Sequence, residues 1–317
     1  MPNGDVMNNS THLLSCDWGT SRFRLRLVNR QTGRTEAEHS TDEGAQTIAA
    51  AHRAPVKRRA AFASALQRGL DALAVDRQPG IPLVISGMAC STIGWIPQPY
   101  ASLPVGVDGA GYLIIDLRIR GRTVRFISGL RTDCDVMRGE ECELTGLFIR
   151  PKRRALADDC VVVLPGTHSK HVRLRRGRIV EFSTRPTGEL FALLSRHSTL
   201  VGGRPTTSFS SAAFRAGVRT ARQLDLGAAL FKTRARSVLG HLRPEQGADF
   251  LSGVLIGSEM VCLPAKGPIV IAAGSDLARR YSLAARTLLP RGRITVIPPA
   301  EAAGAVVRGH VHLASDL

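Results

Sequence analysis

The sequence is poor in aromatic residues, which make up 5% of its 317 residues. Hydrophobic residues nevertheless reach 44%, so a sizeable core is predicted, built mainly from Val, Leu, Ile and Ala. The sequence has no run of about 18 apolar residues, the length that a membrane span needs. Its polar first residues lack the basic and apolar regions of a signal peptide. We therefore expect a cytoplasmic protein with no membrane partner.

Paired cysteines are also lacking. None of the six cysteines forms a C-x-x-C pair, and no cysteine–histidine spacing is typical of zinc. Most of them lie in apolar runs, as reduced, buried thiols of a cytosolic protein do. These absences argue against a disulfide scaffold and a zinc site.

Acidic residues are scarce relative to basic ones, with 26 Asp and Glu against 43 Lys and Arg and a net charge of +17. Only five of the basic residues are lysines. Nucleic-acid binding is one interpretation of this charge. The arginines are, however, spread along the chain, with small clusters at 150–154 and 173–178 and no interleaved aromatics. We favour a solvated, arginine-rich surface and expect no specific nucleic-acid partner.

Strand-like and helix-like patterns alternate along the chain, which predicts an α/β fold. In the first half they predict three strands, a helix, a buried strand, a hairpin and a helix, over residues 12–38, 56–75, 81–87, 112–129 and 135–150. A basic linker is predicted at 150–159. The second half predicts three strands, three helices, a strand–turn–helix unit and a strand with a short helix after it, over 160–183, 187–198, 221–240, 248–263, 267–288 and 294–299.

Two short windows share one pattern, an apolar strand, a Gly-Thr turn and a basic hairpin. They contain "WGTSR" near the start of the chain and "PGTHSK" near its middle. Chance could produce so weak a repeat. If the repeat is real, residues 1–155 and 156–317 are two domains of like topology, each of which presents a phosphate-facing turn to a shared cleft.

Three turns with glycine and small polar residues follow buried strands and are candidate phosphate or nucleotide sites. They consist of Gly19, Thr20 and Ser21, of Gly166, Thr167 and His168, and of Gly274 and Ser275. Each alone could equally be an ordinary hairpin or helix-capping turn. His168 is a candidate catalyst, although a hydrogen-bonded turn histidine is the favoured alternative.

Acidic residues stand beside the first turn and in the segment "DCDVMRGEE". Asp17 ends a buried strand and could hold magnesium directly or through water; a turn-capping aspartate is the alternative. Asp135, Arg138 and Glu141 have helical spacing. Asp135 could accept a proton from an attacking hydroxyl or merely cap the helix, Arg138 could bind an anion, and Glu141 could bind the metal. Arg185, before a predicted helix start, could bind a carboxylate.

Five longer stretches occur in order over the first two thirds of the chain: "DWGTSRFRLRL", "SGMACSTIGWIPQPY", "DVMRGEE", "LPGTHSKHV" and "TGELFALLSRHS". Together they resemble the 2-dehydro-3-deoxygalactonokinase family of the sugar-kinase/Hsp70/actin superfamily. The resemblance implies two ribonuclease-H-like, actin-like ATPase domains of similar topology around an ATP cleft. It also implies ATP-dependent phosphorylation of the 6-hydroxyl of 2-dehydro-3-deoxy-D-galactonate in D-galactonate catabolism.

The resemblance further implies roles for individual residues, with ATP and Mg²⁺ as cofactors and a homodimer as one option. Asp17 would be catalytic and would hold the metal, and the three turns would contact the nucleotide. Our own interpretation of the residues adds Asp135 as the catalytic base and Glu141 as a metal ligand. The sugar acid would lie near Gly87, Met88 and Trp95, with its carboxylate held by one or more of Arg138, Lys170 and Arg185. A kinase for another sugar or sugar acid, or a non-catalytic nucleotide-gated regulator, is the alternative.

Overall fold

The computed structural model of the protein describes residues 10–201, 208–264, 266–290 and 292–317. The chain forms two compact units. The first comprises the residues up to Asp158 together with Arg176–Glu181 and Gly304–Leu317, and the second comprises Asp159–Arg175 and Phe182–Ala303. Among the described residues, no helix is long and apolar enough to cross a membrane.

The first unit is built on a six-stranded sheet in the order β3-β2-β1-β4-β8-β7. Its strands are β1 His12–Trp18, β2 Phe23–Asn29, β3 Thr35–Thr41, β4 Leu83–Gly87, β7 Ile114–Ile119 and β8 Arg122–Ile127. Strands β1, β2 and β3 pair antiparallel, whereas β4 is parallel to both β1 and β8. The three short strands β5 Ala101–Ser102, β9 Leu130–Arg131 and β10 Val136–Met137 form a second sheet.

Helices cover this sheet and bury its apolar residues. They are α1 Ala45–Ala51, α2 Pro55–Ala72, α3 Glu140–Phe148, α4 Pro151–Arg154 and α11 Ala305–Leu313. Although aromatics are few, several meet in one core cluster: the ring of Trp18 lies 4.5 Å from that of Phe23, 4.9 Å from Phe62 and 6.2 Å from Trp95. Such tilted aromatic packing anchors the end of β1.

The second unit repeats this topology, with the strand order β13-β12-β11-β14-β15. Its strands are β11 Asp159–Leu164, β12 Ser169–Arg175, β13 Arg178–Arg185, β14 Ile269–Ile271 and β15 Ile294–Val296. β11 is antiparallel to β12 and parallel to β14, which is parallel to β15. The first residues of β13, Arg178 and Ile179, belong to the first unit and pair there with β6 Val105–Gly106.

The helices of the second unit are α5 Thr187–His197, α6 Ser211–Gln223, α7 Leu226–Val238, α8 Gly247–Val261, α9 Ser275–Leu288 and α10 Pro299–Ala303. The single helix predicted over 221–240 is wrong at its start. α6 ends at Gln223, and Asp225 caps α7 by accepting a hydrogen bond from the backbone N–H of Ala228. The basic segment predicted as a linker is also wrong in part, because Pro151 begins the short helix α4.

The helix predicted over 135–150 begins five residues later than expected. Val136–Met137 is strand β10, and Gly139 has φ +106° before α3 starts at Glu140. A positive φ is incompatible with a right-handed helix, so the helical spacing of Asp135, Arg138 and Glu141 does not exist. The reason is local: the Glu141 carboxyl accepts a hydrogen bond from the N–H of Gly139 at 2.7 Å and holds this turn in place.

The compact units differ from the division predicted at residue 155 in two segments. Arg176–Glu181 and Gly304–Leu317 follow that residue in the chain but belong to the first unit. The second of these carries α11, which packs on α3 through glycines. A Cβ on Gly146 would lie 1.8 Å from the carbonyl oxygen of Ala305, and one on Gly309 would lie 2.0 Å from that of Cys142. The two helices therefore touch backbone to backbone.

A Gly309→Ala variant is expected to lose about 2–3 kcal/mol of unfolding free energy, because the methyl group forces two backbones apart. Thermal unfolding of the full chain measures this loss as a lower Tm. The control is Gly227→Ala on α7, where the added methyl meets only the Asp225 side chain at 3.3 Å. That variant should keep or raise the Tm, since alanine favours helix over glycine. Equal Tm values for the two variants would contradict the close packing of α3 and α11.

Candidate active site

Asp17 lies near the carboxyl end of β1, where its register partners are Arg24 on β2 and Ser86 on β4. The Nη1 atom of Arg24 is 3.0 Å from its Oδ2, and 22% of the aspartate side chain is exposed. A central strand of the sheet thus presents a carboxylate that retains access to solvent. Such a group suits a metal ion or a reacting phosphoryl group.

A buried histidine that the sequence pattern did not indicate joins β1, the strand of Asp17, to its neighbour β4. His310 on α11 has no exposed surface, and its Nδ1 and Nε2 lie 2.8 and 2.9 Å from the hydroxyls of Ser15 and Ser86. Burial lowers the pKa of His310 to about 3, so the ring is neutral. Its two nitrogens therefore act as one donor and one acceptor between β1 and β4.

The turn after β1 has its carbonyls engaged and its amides free. The N–H groups of Ala45 and Gln46, at the start of α1, donate to the carbonyls of Gly19 and Thr20, both at 3.0 Å. Within the described residues, the N–H groups of Thr20 and Ser21 donate to no other protein group. Both residues are exposed, and free backbone amides in a turn suit phosphate oxygens.

The end of β4 and the segment after β10 meet at two glycines. Gly87 has φ +83°, and a Cβ there would lie 2.6 Å from the carbonyl oxygen of Trp18. A Cβ on Gly139 would lie 3.5 Å from the Cα of Gly87. These approaches bring Gly139 beside Gly87, and Gly87 beside the end of β1.

Asp135 lies in the turn between β9 and β10. Its Oδ1 accepts a hydrogen bond from the N–H of Val136 at 2.7 Å, and its own N–H donates to the Thr132 hydroxyl at 2.9 Å. The side chain is half-buried. These bonds fix the carboxylate of Asp135 within its turn, and Asp135 caps no helix.

Arg138 has a buried guanidinium with unpaired donors. Its Cζ lies 4.1 Å from the ring centre of Tyr100, and its Nη2 donates to the carbonyl of Gln98 at 3.3 Å. Nε and Nη1 are buried without a hydrogen-bond partner, as is the side-chain oxygen of Gln98. Leaving such donors unpaired costs about 1–3 kcal/mol each, so this arginine is suited to pairing with an anion.

Glu141, the metal ligand predicted from the sequence, is enclosed at the start of α3. It has no exposed surface, and burial followed by the charge of Glu140 raises its pKa to about 8. Its carboxyl already accepts the N–H of Gly139, so its geometry counts against a role as a metal ligand. Glu143, which the pattern did not single out, also has a raised pKa of about 8, because of burial followed by the charges of Glu140 and Asp17. Among the described residues no three such side chains form a metal-binding group.

Two predicted substrate contacts belong to the core or border it. Trp95 is 6% exposed and packs edge-on against Trp18 and Phe126. Met88 is partly buried against the same cluster. The geometry therefore counts against Trp95 as a substrate contact and leaves Gly87 and Met88 at the border of the site.

The turn of the second unit has the same construction as the first. The N–H of Glu189 donates to the carbonyl of Thr167 at 3.0 Å, and a Cβ on Gly188 would lie 2.4 Å from the carbonyl oxygen of Gly166. Among described protein groups, the N–H groups of Gly166, Thr167 and His168 find no acceptor. Once more the following helix holds the turn by its carbonyls and leaves the amides available.

The matching glycine of the first unit is Gly44, before α1, where a Cβ would lie 2.3 Å from the carbonyl oxygen of Thr20. Sequence reasoning missed both Gly44 and Gly188. The available signal was a glycine just before or within the first turn of the helix that follows each hairpin, which a comparison of the two repeats could have found.

The charged residues predicted beside the second turn have protein partners. The Nε2 of His168 lies 2.7 Å from Glu189 Oε2, which agrees with the favoured alternative of a hydrogen-bonded turn histidine. Lys170 is 5% exposed, with its Nζ 3.5 Å from the carbonyl of His168. Arg185 is half-buried and donates to the carbonyl of Thr184 at 3.1 Å. None of these side chains shows the unpaired donors that Arg138 has.

The third turn leads from β14 into α9. Gly274 is the N-cap residue in extended conformation, without a side-chain capping bond, and Gly274 and Ser275 are exposed. Asp276 is paired with Arg279 at 2.7 Å and Arg280 at 2.9 Å. Although partial burial would raise its pKa, these arginines hold the pKa of Asp276 below its usual range. Its charge is thus compensated, and the helix N-terminus can accept an anion.

Two ribonuclease-H-like units with the same strand order, each with an amide-bearing turn after its first strand, define an actin-like ATPase fold of the kind used by sugar kinases. Within that class the chain belongs to the 2-keto-3-deoxy-galactonokinase family, whose model matches residues 17–307.

Two relatives and one solved structure extend this result. The chain is 35% identical over 283 residues to the 2-dehydro-3-deoxygalactonokinase of Escherichia coli K12, covering 86% of this chain and 88% of that protein. It is 34% identical over 266 residues to a protein of Rhizobium meliloti assigned the same activity, covering 80% and 81%. A crystal structure from Sinorhizobium meliloti, assigned likewise, has a TM-score of 0.77 and 29% identity over 93% and 94% of the two chains.

Proposed function

We propose that this protein transfers the terminal phosphoryl group of ATP to the 6-hydroxyl of 2-dehydro-3-deoxy-D-galactonate, in D-galactonate catabolism. Membership of the 2-keto-3-deoxy-galactonokinase family supports the reaction. The name of the Escherichia coli relative supports the substrate. The observation that carries the substrate class is Arg138, whose buried guanidinium has two donors without a partner.

A sugar acid would pair with these donors through its carboxylate. The two parallel hydrogen bonds that a carboxylate accepts from a guanidinium would come from Nε or Nη1 together with the second N–H of Nη2, and such bonds are stronger than neutral ones. The ring of Tyr100 covers the guanidinium, so a movement of this ring or of the arginine would admit the carboxylate. Lys170 and Arg185, the other candidates, are weaker because each is already engaged within the second unit.

The remaining roles follow the positions of the residues. Asp135, held by Val136, would take the proton from the 6-hydroxyl as it attacks the phosphorus atom. The free amides of the turns at Gly19–Ser21 and Gly166–His168 would bind phosphate oxygens, and those before α9 the nucleotide. Positioning and charge stabilisation dominate this class of reaction.

A magnesium ion fits Asp17 better than Glu141. Asp17 is partly exposed, and magnesium usually keeps several waters and needs only one or two carboxylates. When bound, the ion would neutralise charge on the transferred phosphoryl group. A homodimer and a cytoplasmic location stay predictions.

Substrate selectivity tests the proposal. Wild-type protein is assayed for ADP release with 2-dehydro-3-deoxygalactonate, its gluconate epimer and neutral hexoses. An Arg138→Gln variant is expected to raise the KM for the galactonate acid about 100-fold, the value of one lost charge-assisted pair of bonds, while the KM for ATP stays within about twofold.

Arg131→Gln is the matched control. Arg131 is exposed on strand β9, and its Nε donates to the hydroxyl of Ser102 on the neighbouring strand β5. Preference for another acid would keep the reaction and change the substrate. Turnover of neutral hexoses that equals that of the acids, or unchanged kinetics in Arg138→Gln, would contradict the carboxylate site. Binding of ATP without turnover of any acceptor would favour a nucleotide-gated regulator.

A further inference from the structure

One buried carboxylate in the second unit accepts four side-chain hydrogen bonds. Glu259 on α8 is 3% exposed. Its Oε1 accepts from the Ser169 hydroxyl at 2.6 Å and from His171 Nε2 at 2.9 Å, and its Oε2 accepts from the Tyr281 hydroxyl at 2.7 Å and from the Thr187 hydroxyl. All five side chains are buried. We call this group the Glu259 cluster.

The donors of the Glu259 cluster come from elements that border the candidate nucleotide site. Ser169 is the first residue of β12 and directly follows the turn at Gly166–His168. Thr187 is the first residue of α5. Tyr281 lies on α9, the helix that begins at Ser275. The carboxylate therefore links the second turn, the helix that holds this turn and the helix after the third turn.

The backbone of α5 contacts the second turn and thereby connects the Glu259 cluster to it. Gly188 lies so close that a Cβ would be 2.4 Å from the carbonyl oxygen of Gly166, and Glu189 donates its N–H to Thr167. A shift of the first turn of α5 by even a few tenths of an ångström would therefore move the amides of Gly166 and Thr167. Thr187, which is bound by Glu259, fixes this first turn.

We propose that Glu259 is a positioning residue for the nucleotide, because it sets the geometry of the turn at Gly166–His168 and of the start of α9. This inference rests on the proposed function, in which both elements contact ATP. Glu259 itself does not touch the nucleotide; it acts through Ser169, Thr187 and Tyr281.

The chemistry of a carboxylate suits this task. An ionised carboxylate is an acceptor with room for four donors, whereas a glutamine amide offers only one acceptor oxygen. Burial would raise the pKa of Glu259, but the hydrogen bond and charge of His171, with the bonds of Ser169 and Thr187, hold it below its usual value. A buried charge is costly unless it is fully paired, and four donors pair it.

Glu259→Gln is the direct test, with ADP binding to the full-length protein measured by calorimetry. The amide keeps the size of the side chain but has one acceptor oxygen in place of two, so two of the four donors lose their acceptor. We expect ADP affinity to fall at least about tenfold, which corresponds to about 1.4 kcal/mol. The KM for ATP should rise in parallel, and the KM for the sugar acid should change less than about twofold.

Thr187→Val and Thr187→Ser are two less disruptive substitutions. They test the positioning role even if Glu259→Gln fails to fold. Valine removes the hydroxyl and keeps the shape, so ADP affinity should fall severalfold. Serine keeps the hydroxyl and should restore most of the affinity. Val254→Ala on α8 is the control for stability alone, since Val254 is buried in the α8 core away from the cluster; it should lower the Tm and leave ADP binding unchanged.

The outcomes separate this inference from the proposed function. ADP binding needs no phosphoryl acceptor. An absence of turnover with every sugar acid would therefore contradict the proposed function, while the ADP-binding test could still be interpreted. Equal ADP affinity in wild type, Glu259→Gln and Thr187→Val would overturn the positioning role. So would a loss of affinity in Val254→Ala as large as in Thr187→Val, because the effect would then follow stability and not the cluster.

Discussion

An Asp135→Asn variant is expected to fold normally, to bind ADP with unchanged affinity and to lose about 10²–10⁴-fold in kcat, the range of general base catalysis. Asparagine can still accept the hydrogen bond from the N–H of Val136 that holds the aspartate at 2.7 Å. It cannot accept the proton of the attacking hydroxyl. The change therefore removes the proposed chemistry while leaving the turn between β9 and β10 in place.

The control for this experiment is Asp133→Asn, two residues earlier in the same turn and exposed to solvent. Steady-state kinetics with ATP and 2-dehydro-3-deoxygalactonate should show wild-type kcat for this variant. A kcat for Asp135→Asn within about threefold of wild type would show that Asp135 is not the base.

An Asp17→Asn variant is expected to lose about 10²–10³-fold in kcat, because removal of one group that stabilises transition-state charge typically has this effect. The asparagine oxygen can still accept from Arg24, which lies 3.0 Å away, so β1 and β2 should stay paired. The second readout is ADP binding with and without Mg²⁺. Wild type should bind ADP more tightly with the ion, and the variant should lose that difference.

Asp42→Asn is the matched control for Asp17→Asn. Asp42 also faces an arginine, Arg22 at 3.4 Å, but 91% of its side chain is exposed. Its replacement should leave both kcat and the magnesium dependence unchanged. If Asp17→Asn kept the full magnesium effect on ADP binding, the assignment of the ion to Asp17 would be wrong.

The strands and most helices followed from the sequence because their signals are local. Alternation in "RFRLRL" predicts β2, and the apolar run before Asp17 predicts β1. If the repeat of the two similar windows is real, it predicts domains of like topology, and the five strands that the two sheets share follow the same order. The turns at Gly19 and Gly166 lie where this pattern placed them, directly after the first strand of each unit.

The helix expected at Asp135 was wrong because a single backbone conformation overrode the spacing. Gly139 at φ +106° ends β10 and starts α3, and no periodicity reveals such an angle. Trp95 is a similar case. A tryptophan beside a glycine-rich loop is an attractive substrate contact, but here the rings of Trp18 and Phe126 pack against Trp95 in the core.

Long-range partners were beyond sequence reasoning altogether. The packing of α11 on α3 depends on Gly146 and Gly309, which are far apart in the chain and ordinary in composition. Glu259 lies in an apolar helix whose pattern predicts only burial, and its four donors come from three other elements. Which side chains meet in such a cluster is decided by tertiary packing, not by local propensity.

The most direct test of the central claim is to identify the product that wild-type protein forms from ATP and 2-dehydro-3-deoxy-D-galactonate. Phosphorus and carbon NMR of the reaction mixture reports both the acceptor and the phosphorylated position. The structure and family predict 2-dehydro-3-deoxy-6-phospho-D-galactonate together with ADP. Phosphate on another hydroxyl, or release of free phosphate with the sugar acid unchanged, would contradict the proposed reaction.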